Sequence, residues 1–313
     1  LWHISKMPRK IQENIRDSSA NEAEIFDRRS VKQHRNRAAS SLSEFEFLLC
    51  EVADQLVDRL SDIRRNFPVA LDVGCHTGQI SRLLQGRGGI EQLYQCDLSE
   101  PMARQTAGLR IVADEEFLPI GDAQLDLAIS SLSLHWVNDL PGALIQIRRA
   151  LKPDGLFLAT LFGGETLKEL RQSLITAESE IVGGAGPRVS PFADVRDGGA
   201  LLQRAGFALP VADTEVLAVS YENPLKLMHD LRGMGEQMAT HSRAKTFTRR
   251  DVLFRACEIY QDIFGDDDGR VPATFEVITL TAWAPAPDQQ QPSTRGSGQI
   301  SLADVLKSDD ESA

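Results

Sequence analysis

The stretch Ala70-Leu71-Asp72-Val73-Gly74-Cys75-His76-Thr77-Gly78-Gln79 decides the fold. An apolar run from Val69 reaches an acid, two glycines follow four apart, and Ile80, Leu83 and Leu84 then recur at helical spacing. That order reads as strand, tight turn, helix. Glycine at such a turn takes positive φ and lets a ligand approach the backbone, and free N–H groups at the helix start face it. The spacing D-x-G-x-x-x-G is not the dinucleotide fingerprint G-x-G-x-x-G.

Moving outward, Leu93-Tyr94-Gln95-Cys96-Asp97 is a second short strand ending in an acid. It lies about 20 residues past the glycines, the distance at which one βα unit delivers a carboxylate to a ribose diol. Leu98 and Ser99 follow, with Ser99 as a helix cap, Pro101 in the first turn and Met102 behind it. A third strand, Leu109 to Ala113, ends in Asp114-Glu115-Glu116, where an acid at the sheet edge can accept from an adenine amino group. A fourth, Leu125 to Ser131, brings Ser130 to the same edge and runs into Leu132-Ser133-Leu134-His135-Trp136. Helix Pro141 to Leu151, a turn at Lys152-Pro153-Asp154-Gly155 and a fifth strand, Leu156 to Phe162, complete the alternation. Alternating strands and helices predict a parallel sheet covered on both faces, with ligands beyond the carboxyl ends of the strands.

The flanks are less regular. Glu24 to Arg37 mixes apolar and basic residues and reads either as a solvated helix face or as a lid. Leu42 to Leu60 has helical apolar spacing, and this helix should present Arg35 and Arg37 near the open edge. After Phe162 a helix from Gly163 to about Ile181, a glycine-rich loop through Arg188 and a helix from Arg196 to Ala205 are expected. Glu215 to Val219 and Glu276 to Trp283 read as the last two strands, with helices of Pro224 to Gly233 and Arg249 to Phe264 between them, placed to wall a substrate pocket. The expected units are a flexible N-terminus (1–23), one domain (24–285) and a disordered tail (286–313) with Leu302 to Leu306 as a short docking helix. Within the domain, 24–66 is a helical lid, 67–162 the cofactor core and 163–285 a substrate-side elaboration.

With 34 basic against 45 acidic residues the net charge is −11, so the overall field does not serve nucleic acid or an anionic membrane. Cys50, Cys75, Cys96 and Cys257 form no C-x-x-C pair, which argues against a zinc site or a disulfide framework. No metal site is expected. No apolar run approaches the roughly 20 residues of a membrane helix, and a soluble protein is expected. The first 40 residues carry acids among their arginines, unlike a transit peptide.

Several stretches carry a resemblance: Ala113-Asp114-Glu115-Glu116-Phe117-Leu118-Pro119, Ser130 to Pro141, Leu151-Lys152-Pro153-Asp154-Gly155, Phe162-Gly163-Gly164-Glu165-Thr166-Leu167 and Gly233-Met234-Gly235-Glu236. Together with the first turn they resemble class I S-adenosylmethionine-dependent methyltransferases, including the malonyl-acyl-carrier-protein methyltransferase of biotin synthesis. The last two lie outside the cofactor half, and make the chain more similar to the respiratory complex I assembly factor family of methyltransferase-like arginine hydroxylases. The resemblance implies an α/β, Rossmann-like fold with a mostly parallel seven-stranded sheet and helical insertions near the C-terminal strands. It further implies S-adenosyl-L-methionine as cofactor, a complex I subunit as protein substrate, and a cytoplasmic or mitochondrial-matrix setting. The candidate cofactor residues are Asp72, Gly74, Cys75, Gly78, Asp97, Leu98, Met102, Asp114, Glu115 and Ser130. One departure stands out: the family's first motif has a middle glycine where this chain has His76.

Methyl transfer from a sulfonium asks mainly for position, with a general base only if the acceptor starts protonated. His135, past the fourth strand, has the place for that role or for a packed wall. Hydroxylating an unactivated C–H bond normally needs a redox cofactor, and the six histidines show no H-x-D or H-x-E pair for an iron triad. On the substrate side, an arginine prefers a carboxylate such as Glu165, Asp194 or Glu236, with Glu165 favoured at the mouth of strand five; a malonyl group prefers an arginine such as Arg188. Three activities stay open: arginine modification during complex I assembly, O-methylation of a carrier-bound carboxylate, and non-catalytic chaperoning on a cofactor fold.

Overall fold

Strand β1 (Val69–Val73) lies at the centre of the sheet because both its faces are apolar: Ala70 packs to one side, Leu71 and Val73 to the other. Residues buried on both faces are what a parallel sheet covered by helices requires. In the computed structural model, which describes residues 24–192, 194–289 and 297, β1 pairs in parallel with β2 (Gln92–Asp97) on one side and β4 (Leu125–Ser131) on the other. Adding β3 (Leu109–Val112), β5 (Leu151–Phe162), β6 (Ala208–Tyr221) and β7 (Val271–Trp283) gives seven strands in the order β3-β2-β1-β4-β5-β7-β6. Only β7 runs antiparallel to its neighbours. The order reverses between β1 and β4, and a crevice at that switch point is where open α/β sheets hold ligands.

The helices, in chain order, are α1 (Arg28–Ala38), α2 (Phe47–Ser61), α3 (Gln79–Leu84), α4 (Glu100–Ala103), α5 (Leu140–Ala150), α6 (Lys168–Val182), α7 (Val195–Arg204), α8 (Pro224–Met234) and α9 (Arg250–Phe264). Leu56, Val57 and Leu60 of α2 cover Ala70, Leu127 and Leu158 on one face. Leu144 and Ile147 of α5, with Leu202 of α7, cover Leu71, Ala128 and Phe157 on the other. A third cluster joins α6, α8 and α9 to the end of β7 through Leu170, Leu227, Val252 and Phe275, so the late helices form a wall beside the switch point.

The expected single helix from Leu42 to Leu60 is broken, with a 3-10 turn at Leu42–Glu44 before α2 begins. The turn expected at Lys152 to Gly155 is instead the bulged start of β5: Asp154 takes φ 62° and its N–H donates to the Ala284 carbonyl, so the strand runs on from the helix end at Ala150. Strand β6 is an edge strand with one face open; the strand expected at Glu215 to Val219 is its second half, and it begins earlier, at Ala208, where Pro210 and a register shift between Ala208 and Val211 break the alternating pattern. Leu302 to Leu306, residues 1–23 and most of the expected tail lie outside the described residues.

Candidate active site at the carboxyl edge of the sheet

The turn after β1 folds as its glycines demand. Gly74 and Gly78 take φ of 72° and 89°, and Gly74 has no room for a side chain: a Cβ there would collide with Ser133 Oγ and come within 3.3 Å of Glu115 Oε1. The Gly74 and Cys75 N–H groups both donate to the Cys96 carbonyl, at 2.7 and 2.9 Å, which ties this turn to the end of β2. His76 holds the left-handed conformation of the glycine it replaces, at φ 48°. Its ring is buried and neither nitrogen has a partner among the described residues.

Asp97 closes β2 with its side chain wholly buried. Its Oδ1 accepts from Ser99 N at 2.7 Å and its Oδ2 from His76 N at 3.0 Å, so the acid is fixed by backbone on two sides. Seventeen and eighteen residues on, the loop after β3 delivers Asp114 and Glu115 to the same edge. Glu115 is buried, and its Oε1 accepts from Ser133 Oγ at 2.7 Å. The two candidate carboxylates therefore lie on one side of the molecule, joined through a third group.

That group is Arg35. Its guanidinium, buried to within 1% of full enclosure, reaches Asp97 at 3.3 Å, Glu115 at 2.8 Å and Ser133 Oγ at 2.9 Å. Arg28, seven residues earlier and so two turns along the same face of α1, binds Asp114 at 2.6 Å, Glu115, and the Trp136 carbonyl at 3.1 Å. Burial opposes the Arg35 charge, but Asp97 and Glu115 outweigh it and hold its pKa above the ordinary value. Burial likewise works against Glu115, and Arg35 and Arg28 overcome it and pull that carboxyl well below the usual range. Asp72 has no such partner. Burial and the Asp97 charge push it well above the carboxylate range, and among the described residues neither of its oxygens has a hydrogen-bond partner.

The remaining candidates divide. Ser130 Oγ donates to the Val73 carbonyl at 2.6 Å and serves to pin β4 to β1. Leu98 packs with Phe26, Val31 and Trp136 beneath α1, and Met102 lies in the core. Cys75 is buried and burial raises its thiol pKa, so it fills the turn as a small apolar group. His135 follows β4 in a 3-10 turn (Leu134–Trp136), with Nε2 at 3.1 Å from Glu236 Oε2. Trp136 Nε1 donates to the same oxygen at 3.0 Å. Glu165 is elsewhere: its side chain is 63% exposed and pairs with Lys168 at 3.3 Å. Asp194 caps α7, and Arg188 is bound by Glu178.

Arg35, expected near the open edge, lies there, whereas Arg37, expected beside it, is exposed; Arg28 and Ser133 were not candidates from sequence, although the seven-residue spacing of the two arginines was a readable signal. Glu236 was one of three carboxylates weighed there, and its position follows from Gly235, which ends α8 at φ 84° while the Glu236 N–H donates to Leu231 O at 2.9 Å. This cap turns Glu236 inward, to line a cavity of about 400 Å³ between α1, α6, α8 and the Arg188 loop. Among the described residues no group of three or more His, Cys, Asp or Glu side chains is arranged to hold a metal ion.

The sequence matches the family model described as a methyltransferase domain over residues 71–159. A putative methyltransferase from Bacillus halodurans C-125 superposes with a TM-score of 0.51 at 14% identity, over 79% of this chain and all of that one, and shares the fold. The chain is 34% identical to the malonyl-[acyl-carrier protein] O-methyltransferase of Halorhodospira halophila, over 91% of this chain and 98% of that protein. It is 43% identical to the mitochondrial arginine-hydroxylase NDUFAF5 of Danio rerio, over 93% of this chain and 92% of that one. At that identity over nearly the whole of both chains, the chain belongs to the NDUFAF5 arginine-hydroxylase family, built on a methyltransferase fold.

Proposed function

We propose that this protein modifies an arginine side chain of a partner protein, by hydroxylation as its relatives' name states, and that the partner is a respiratory complex I subunit under assembly. The observation that carries the reading is the chemistry of the rim. Asp97, Asp114, Glu115 and Glu236 face Arg28 and Arg35, four carboxylates against two guanidiniums, which suits a cationic ligand. Arg188, the cation a malonyl group would use, is already neutralised by Glu178.

The same edge supports S-adenosyl-L-methionine as cofactor. The orphaned Asp72 oxygens, the cramped Gly74 and the two-point support of Asp97 are features of a turn shaped around a ligand. With α1 seated, however, the Arg35 guanidinium and the His76 ring take up the space beside Asp97. Binding the nucleoside therefore requires Arg35 to withdraw, and the residues that would then hold it are Gly74, Asp97 and the acids after β3. When bound, the cofactor supplies an activated sulfonium.

Titration of the purified protein with S-adenosylmethionine, repeated on Asp97→Asn, tests the cofactor; equal affinity in the two proteins would reject this placement. Peptide mass spectrometry of complex I subunits from cells lacking the gene tests the activity. The expected result is an arginine lighter by one oxygen atom than in the parent strain, and identical masses refute hydroxylation.

A further inference from the structure

The cavity lined by Glu236 has the shape and chemistry of a receptor for one long cationic side chain. One side of it is apolar, with Leu170 and Leu174 from α6, Met228 and Leu231 from α8, and Phe192 from the loop before α7, and the other is polar, with His34, Ser190, Gln237 and Thr246. At its inner side Glu236 is held in place rather than free to turn. Its side chain is 5% exposed, and Oε2 is fixed by the His135 and Trp136 ring nitrogens. Oε1 has no hydrogen-bond partner among the described residues. A carboxylate with one oxygen anchored and the other open is a preorganised acceptor, because the cost of orienting it is already met by the fold.

The cations nearby do not satisfy it. Arg188 is bound by Glu178, and Arg243, which also lines the cavity, donates to Asp27 at 3.0 Å. Burial works against the Glu236 charge, and His135 and Arg35 more than compensate, so the carboxyl stays below its ordinary range and remains anionic. An anion beside an apolar wall calls for a weakly hydrated cation on an unbranched hydrocarbon stem. Guanidinium meets this better than ammonium, since it is more weakly hydrated, and its planar face can lie against aromatic walls such as Trp136 and Phe192.

We propose that this cavity is the subsite for the substrate arginine, with the methylenes between α6 and α8 and the guanidinium on Glu236 Oε1. The assignment rests on the arginine-directed reading above, and it names the residue that recognises the side chain. It separates Glu236, as a binding residue, from Glu165, which lies on an exposed turn.

The test is calorimetric titration of the full chain with acetyl-Gly-Arg-Gly-amide and with its citrulline and lysine counterparts. Citrulline matches arginine in shape and lacks the charge. The arginine peptide is expected to bind about tenfold or more tighter than either counterpart, the gain of a charge-assisted hydrogen bond. Glu236→Gln, which can still accept from Trp136, should erase the preference for arginine over citrulline. Met228→Trp, which fills the cavity and leaves Glu236 intact, should weaken every peptide. No detectable arginine binding, equal binding of arginine and citrulline, or a preference that survives in Glu236→Gln overturns the assignment. The two readings fail separately. An arginine that is hydroxylated normally in cells carrying both variants sinks the subsite and leaves the activity; a peptide bound through Glu236 whose protein counterpart is never oxygenated sinks the activity and leaves the subsite.

Discussion

His76 shows how much a single side chain can shape this edge. At φ 48° it adopts a conformation that costs an L-residue other than glycine about 1–2 kcal/mol. Both ring nitrogens are buried without partners among the described residues, a further penalty of about 1–3 kcal/mol per group. Glycine at this position removes both costs while giving back about 0.5–1 kcal/mol in unfolded-chain entropy. His76→Gly is therefore expected to raise the melting temperature by a few degrees and to tighten S-adenosylmethionine binding by vacating the space beside Asp97. Differential scanning calorimetry and a binding titration check the two effects; a variant that is less stable and binds no tighter would show that the ring is a needed part of the packing.

Helix α1 is the element on which the site turns. Asp27 caps it by accepting from Ser30 N, and its inner face sends Arg28 and Arg35 into the carboxylates while Arg37 stays outside. The outer anchor is Asn36, whose Oδ1 accepts from Ser99 Oγ at 2.6 Å. Arg35→Ala leaves buried carboxylates short of a partner and should cost about 3–5 kcal/mol of stability. It also removes the side chain that competes with the cofactor, so apparent S-adenosylmethionine affinity should rise about tenfold as the open fraction grows. Lower stability with higher affinity is a pairing that simple damage does not produce. In the parent protein, saturating cofactor should speed hydrogen exchange at α1 amides, and unchanged exchange on binding would sink the idea that this helix is displaced. The strands, by contrast, were legible in the sequence, because β1, β2, β4 and the second half of β5 are apolar runs bounded by glycine, proline or acid. The inner face of α1 was legible only in part, because Arg35 could be placed near the open edge but its partners could not. A basic helix usually faces water, and only the fold reveals that Asp97 and Glu115 wait opposite Arg35. Glu165 misled for the complementary reason: the turn after β5 lies at the right edge in sequence order, yet the Glu165 side chain stands in solvent beside Lys168 and does not line the cavity that Gly235 turns Glu236 to face.

At the scale of the whole molecule, a chain of net charge −11 buries Asp72, Asp97 and Glu115 together at the carboxyl edge of its sheet, and the titration of this group should shape its response to pH. Burial alone would raise Glu115 and Glu236, but their cationic partners lower both below the ordinary value of 4.5. A carboxyl with a lowered folded-state pKa contributes stability that is complete above its unfolded value and disappears as pH falls through the folded one. Both terms are therefore full at neutral pH and decline below 4.5. Asp72 has the opposite sign. Burial and Asp97 raise it above 3.8, so its favourable share is present below that value and is lost as pH rises towards its folded-state pKa. The melting temperature should thus fall steeply on the acid side and slope gently downward on the other. Asp72→Asn, which cannot ionise, should flatten the second slope and leave the first. Glu115→Gln should blunt the acid fall at a cost of about 3 kcal/mol at neutral pH, because Arg35 and Arg28 then lose a shared buried counter-charge. Calorimetric scans of the three proteins across pH decide the matter. If Asp72→Asn instead alters the acid limb, the buried acid of β1 is ionised, and a cation must then reach it from the place Arg35 now holds.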